Sequence, residues 1–161
     1  RNVFSTSEKM PEYEEKFIDS KEYVNCGNIA GLPELAKRFV KIALIYKHCD
    51  DYRKAGDNFL CAAWACDDEK MDALAIVCRK RALKCYNEVD GLMLSRRELP
   101  DFMLRILDIL RRSGMYDEVV EFAKNCTFEN SQDRAVCDFQ IKKAKERDKK
   151  CYRLEDVIVQ Q

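Results

Sequence analysis

The chain has 161 residues, 47 % hydrophobic and 36 % charged, and its 29 basic and 29 acidic side chains cancel to zero net charge. That composition excludes a disordered chain and suits a domain that buries about 70 % of its unfolded surface. Zero balance also lacks the overall footprint of a nucleic-acid binder, and 5 glycines with 3 prolines are too few for the tight turns of a sheet protein.

Apolar residues recur with the helical period almost everywhere. The first expected helix runs from about Ser7 to Val24, with Tyr13, Phe17 and Val24 on one stripe. The segment Asn25 to Pro33 breaks it, with Gly27 and Gly31 as stop signals and Pro33 as a first-turn residue. The second runs from Pro33 to Cys49, with Leu35, Phe39, Ile42 and Tyr46 inward, and Asp50-Asp51 supplies a tight link and an N-cap. The third, Tyr52 to Cys66, turns Tyr52, Ala55, Phe59, Ala62 and Cys66 inward. After a cap at Asp67 or Asp68, the fourth runs from Lys70 to Val89 with Met71, Leu74, Cys78, Ala82 and Cys85.

A longer link, with a second cap near Ser95, leads to a fifth helix, Pro100 to Arg112, carrying Met103, Ile106, Leu107 and Leu110. Gly114 closes it. The sixth, Tyr116 to Cys126, carries Val119, Val120, Phe122 and Ala123, and the seventh, Asp133 to Tyr152, carries Val136, Phe139 and Ile141. The end of the chain, with Val157-Ile158-Val159, either docks on the last hairpin or forms a short strand. Short links between helices make sequential antiparallel neighbours. The expected fold is therefore all-α: about seven helices in a right-handed array of antiparallel hairpins, one domain over 1–152 and a tail over 153–161.

The cysteines number 9, an odd count, none paired as CxxC, and His48 is the only histidine. No metal site is expected from such spacing. Most of these thiols fall on apolar helix faces, where cysteine acts as a small hydrophobe. Reduced core thiols in a cytoplasmic protein are expected, with a disulfide scaffold as the alternative. No run of about 18 apolar residues exists to span a bilayer, no signal peptide is visible, and association with membranes is expected to be peripheral at most. The start at Arg1 suggests a fragment or a trimmed product.

The most informative pattern lies between Phe39 and Ala62. Phe39, Ile42 and Tyr46 are large, Ala43, Ala55 and Ala62 are small, and Phe59 stands between the last two. Closely packed helix pairs need small residues where backbones cross and aromatics where they plug the groove. Gly56 costs its helix about 1 kcal/mol relative to alanine, which points to a neighbouring helix too close for a side chain. This alternation resembles the tetratricopeptide repeat. A degenerate second copy lies on Met103, Ile106, Leu107 and Leu110, then Val119, Ala123 and Cys126.

Within the good hairpin, Ile45 to Cys66 followed by Asp72 to Tyr86 is similar to the N-terminal hairpins of the SNAP family, the soluble attachment proteins that link SNARE bundles to their AAA disassembly ATPase. The matching feature is Ala55-Gly56, Phe59 and Ala62-Ala63 ahead of a long helix. The resemblance implies an adaptor whose basic faces grip the SNARE bundle and which recruits that ATPase. It does not extend to the end of the chain, where Val157 to Gln161 lack the family's acidic tail and near-terminal leucine.

Catalytic motifs are missing: no phosphate loop, GxSxG or HExxH occurs. His48 sits where a helix C-terminus favours a cation or hydrogen-bonded imidazole, and Glu14/Glu15, Asp50/Asp51 and Asp67/Asp68 read as caps and solvated faces. No cofactor is expected. Arg79-Lys80-Arg81 with Lys84 is the strongest charge cluster, either a solvated helix face or a surface for an acidic partner. Arg111 and Arg112 could extend it. Trp64 lies off the main stripe, to pack on the next hairpin or to anchor a partner. The expected function is a non-enzymatic protein-interaction adaptor for a helical bundle or an acidic surface, with no nucleic-acid partner. The alternatives are a piece of a vesicle-coat or ciliary-transport α-solenoid, a generic peptide-binding repeat, and a small enzyme with one activated cysteine.

Overall fold

The computed structural model describes residues 31–159; the expected helix from Ser7 to Val24 lies outside them. The described residues are helical, with no strand among them, and they fall into two compact units divided between Val89 and Asp90.

In the first unit, α1 spans Glu34–His48, α2 Tyr52–Asp68 and α3 Asp72–Asn87. Pro33 precedes α1 at the N-cap. The chain reverses after α1 through Asp50, which adopts a left-handed φ of 59°. The Asp51 amide donates back to the Tyr46 carbonyl at 2.9 Å, and the Asp51 side chain accepts from the Lys54 amide at 3.2 Å. One short turn thus ends one helix and caps the next. Lys70, with φ 58°, does the same after α2, and the Met71 amide reaches the Cys66 carbonyl at 2.8 Å. Such short links place α1, α2 and α3 as successive antiparallel neighbours. Packing follows chain order: α2 lies against both α1 and α3, while α1 and α3 barely meet.

Several expected details shift. The buried stripe of α1 is Ala36, Val40, Ala43 and the run Ile42 to Tyr46; Phe39 is half-buried and Leu35 is 45 % exposed. Ile42 and Tyr46 are buried as expected, while in the first two turns Ala36 and Val40 take the inward positions in place of Leu35 and Phe39. Met71 is exposed as well. Neither Asp67 nor Asp68 caps α3, whose N-cap is Met71 without a side-chain bond. Asp67 instead pairs with the buried Arg79.

Gly56 is needed where the sequence places it, for a different neighbour. A Cβ there would lie 2.5 Å from the Tyr86 ring of α3. The close approach is an aromatic ring from the following helix, not the main chain of the preceding one. The Tyr86 hydroxyl donates to Asp57, which fixes the ring over the glycine.

The second unit opens with a 3-10 turn, Gly91–Met93. Ser95 and Glu98 form a reciprocal capping box: each backbone N–H donates to the other's side chain, at 3.0 and 3.1 Å. Helix α4 spans Glu98–Arg112, α5 Tyr116–Lys124, α6 Ser131–Lys145 and α7 Leu154–Val159. Gly114, with φ 78°, ends α4, and the Met115 amide reaches the Leu110 carbonyl at 2.9 Å. Phe102, Ile106, Leu107, Ile109 and Leu110 of α4, Val119 of α5 and Phe139 of α6 form the core, while Met103 is half-buried. Helix α6 ends at Lys145 rather than near Tyr152. Arg147 takes φ 55°, and the Asp148 amide turns back to the Lys143 carbonyl at 3.0 Å. The expected tail contains α7, a helix rather than a strand, which buries Val157 and packs on α6. Helix α6 also meets α4 and α5, so the unit is a small bundle, not a linear stack. Three helices in succession are too few to define the right-handed winding of a solenoid.

Candidate functional site

The charge cluster singled out in the sequence lies on α3, and its residues part company there. Arg79 turns inward to Asp67 and is buried. Lys80 and Lys84 are exposed, and Arg81 is half-buried. Positions 81, 84, 85 and 88 repeat at helical spacing and share one face of α3. That face forms a wall of a cleft of about 440 Å³, lined by Lys47, Tyr52, Phe59, Arg81, Lys84, Cys85, Asn87 and Glu88. Lys80 is not among the lining residues.

Each wall has a local cause. Lys47 belongs to the last turn of α1 and Tyr52 to the first turn of α2, brought together by the tight turn through Asp50. Phe59, 2 % exposed, is the floor. Among the described lining residues, three cations stand against one carboxylate, Glu88. The Arg81 Nε is buried and has no hydrogen-bond partner among the described residues. Among the described residues, neither Arg81 nor Lys84 forms an ion pair with a carboxylate. The Asp50 carboxylate, which accepts from the Tyr52 hydroxyl at 3.3 Å, raises the pKa of that phenol, and Glu88 adds to the shift. Tyr52 therefore stays a neutral hydroxyl at neutral pH.

The other candidate residues lie elsewhere. Trp64 is 59 % exposed on α2, so it does not pack on the next hairpin. It stands about 140° round the helix from Phe59, on the far side from the cleft. Arg111 is the clearest correction. It is fully buried, and each part of its guanidinium is engaged. Nε donates to Gln140 at 2.6 Å, one terminal nitrogen to the Asp148 carbonyl at 2.7 Å, and the other to Asp108 at 3.2 Å. Its guanidinium also stacks 5.4 Å from the Tyr152 ring centre. Burial works against the charge of Asp148, but the Tyr152 hydroxyl, the Lys150 amide and the nearby cations outweigh it and hold its pKa low. Arg111 thus organises the second unit and presents no surface to a partner. Arg112 remains partly exposed, 3.9 Å from Asp108.

Burial pushes Cys78 up to about 12 and Cys126 up to about 11, and it raises Cys66 and Cys137 as well. Among the described residues no group of three His, Cys, Asp or Glu side chains is placed to hold a metal ion, and no helix is long and apolar enough to cross a membrane. His48 is exposed in the last turn of α1.

Lys47, Tyr52, Asn87 and Glu88 were missed by the sequence reading. Only the repeat spacing, which brings the end of α1 beside the end of α3, carries a signal for them. The described residues are thus all-helical, with antiparallel hairpins in the first unit and a cleft among them whose described lining carries Lys47, Arg81 and Lys84. Compared with protein-family models, curated proteins and solved structures, the chain shows no significant match to any.

Proposed function

We propose that this protein is a non-enzymatic interaction module that holds an acidic protein partner on the basic face of α3. The observation that carries this reading is the trio Lys80, Arg81 and Lys84 on one helix, with Arg81 and Lys84 unpaired among the described residues. Surface cations without internal partners attract an oppositely charged surface and speed its docking. The raised pKa values of Cys66, Cys78, Cys126 and Cys137 argue against a nucleophile at those four positions, because a reactive cysteine needs the opposite shift. Trp64, large and exposed, is a second contact point suited to a partner.

The likeness of Ala55-Gly56, Phe59 and Ala62-Ala63 to the SNAP hairpins gives the partner a form. In this reading the module is a cytoplasmic adaptor, at most peripheral to membranes, that binds an assembled SNARE bundle and recruits its AAA ATPase in vesicle trafficking. The test is a pull-down of a purified SNARE bundle at low salt. Retention by the wild-type chain and loss with Lys80→Glu and Arg81→Glu together are expected. No retention, or retention unaffected by the two substitutions, refutes the SNAP-like reading.

A further inference from the structure

The cleft beside α3 has a chemistry narrower than that of a charged face. Its donors are Lys47, Arg81 and Lys84. Its acceptors are the Glu88 carboxylate, the Tyr52 hydroxyl and the Asn87 amide oxygen. Its floor is the Phe59 ring, almost wholly covered. A bare oxyanion uses only donors and would meet repulsion from Glu88. An extended acidic peptide uses every part: a side-chain carboxylate for the cations, main-chain N–H groups for the acceptors, and one apolar side chain for the floor. The volume of about 440 Å³ falls within the range of ligand sites and admits a few residues of such a segment.

We propose that this cleft is a peptide-recognition site for a short acidic segment of a protein partner, in which a glutamate or aspartate side chain pairs with Arg81 and Lys84 and a neighbouring apolar side chain rests on Phe59. Arg81 is the selective element. Its Nε is already buried and without a partner among the described residues, so part of its desolvation is met before any ligand arrives, and a planar carboxylate fits a guanidinium fork. Lys84 adds an exposed charge that draws the segment in. The proposal rests on the interaction-module reading, and it differs in assigning Lys80, outside the cleft, no direct contact.

The experiment is a fluorescence-anisotropy titration of the full chain with a labelled peptide in which glutamates flank a single leucine. A copy with glutamine in place of glutamate serves as control. Saturable binding of the first peptide and none of the second is expected, weakening as salt rises. Arg81→Gln and Lys84→Gln should each weaken binding about tenfold, the effect of one lost charge-assisted pair. Lys80→Gln should change it less than about twofold. Lys84 is exposed, so its substitution keeps the test valid even if Arg81→Gln perturbs folding.

Equal losses at Lys80, Arg81 and Lys84 would overturn the cleft while leaving the broad basic face standing. The same conclusion follows if the peptide fails to bind while a SNARE bundle is still retained. Competition by inorganic phosphate as effective as unlabelled peptide would also overturn the proposal, since it would make the site an anion hole without peptide selectivity.

Discussion

Replacing Gly56 by alanine tests the packing of α2 on α3 directly. Alanine should gain about 1 kcal/mol of helix propensity. Against that gain, the new Cβ would sit 2.5, 2.7 and 2.9 Å from three atoms of the Tyr86 ring. Such distances force a shift. The ring is 2 % exposed and its hydroxyl is tied to Asp57, so it has little room to give. Overpacking of a filled site costs about 1–3 kcal/mol, and a ring that moves also gives up a hydrogen bond to a charged group, about 1.5–3 kcal/mol. The net expectation is a loss of about 1.5–5 kcal/mol, read as a lower urea midpoint by far-ultraviolet circular dichroism. A Tyr86→Leu background removes the obstacle, and there Gly56→Ala should be neutral or stabilising. The two single changes and the double change form a cycle whose coupling term isolates the contact. Equal or higher stability of Gly56→Ala in the wild-type background refutes the reasoning.

Arg111→Met leaves Gln140, Asp108 and the Asp148 carbonyl without their common donor, so a loss of about 3–5 kcal/mol is expected in chemical denaturation; recovery of full stability by Arg111→Lys would contradict it, because an ammonium cannot reach three partners as a fork does. The Cys78 thiol, pushed up to about 12 by burial, makes stability pH-dependent. In the unfolded chain a thiol ionises near pH 8.5, about three units lower. Stability is thus intact below that value and should fall as pH rises towards the folded pKa, by about 1.4 kcal/mol per unit for this one group. Urea titrations under reducing conditions measure the slope, and Cys78→Ala should flatten it; an unchanged slope would show that Cys78 does not contribute. In alkylation followed by mass spectrometry, the exposed Cys49 and Cys151 should react well ahead of the buried Cys66 and Cys78, and equal rates would contradict the burial argument.

The helices were legible because their signals are local. The apolar period, the Asp51 cap, the Ser95 cap and the Gly114 stop each act within one or two turns. In α1 the expected Ile42 and Tyr46 are buried, but Leu35 and Phe39 dominate a hydropathy count at the start of the helix, where packing turned Ala36 and Val40 inward. The end of α6 was hidden because Arg147 takes a left-handed conformation usually left to glycine or asparagine, and no residue type announced it. Arg111 looked like a solvated helix-end cation; its partners Gln140 and Asp148 lie 29 and 37 residues away, beyond any local pattern. The cleft was half visible. Arg81 and Lys84 stood out as charges, but Lys47, Tyr52 and Glu88 join them only once three helices are folded together.

Among the described residues, α2 carries nearly all the packing between α1 and α3, and that gives these three helices a mechanical character. Strain passed from α1 to α3 through the described residues therefore runs mainly through that middle element and its Gly56–Tyr86 joint. Lys47 rides on the outer helix and Arg81 and Lys84 on the inner one. A guest held by both sets would act as a staple across an opening seam, and its departure would leave the outer helix free to swing.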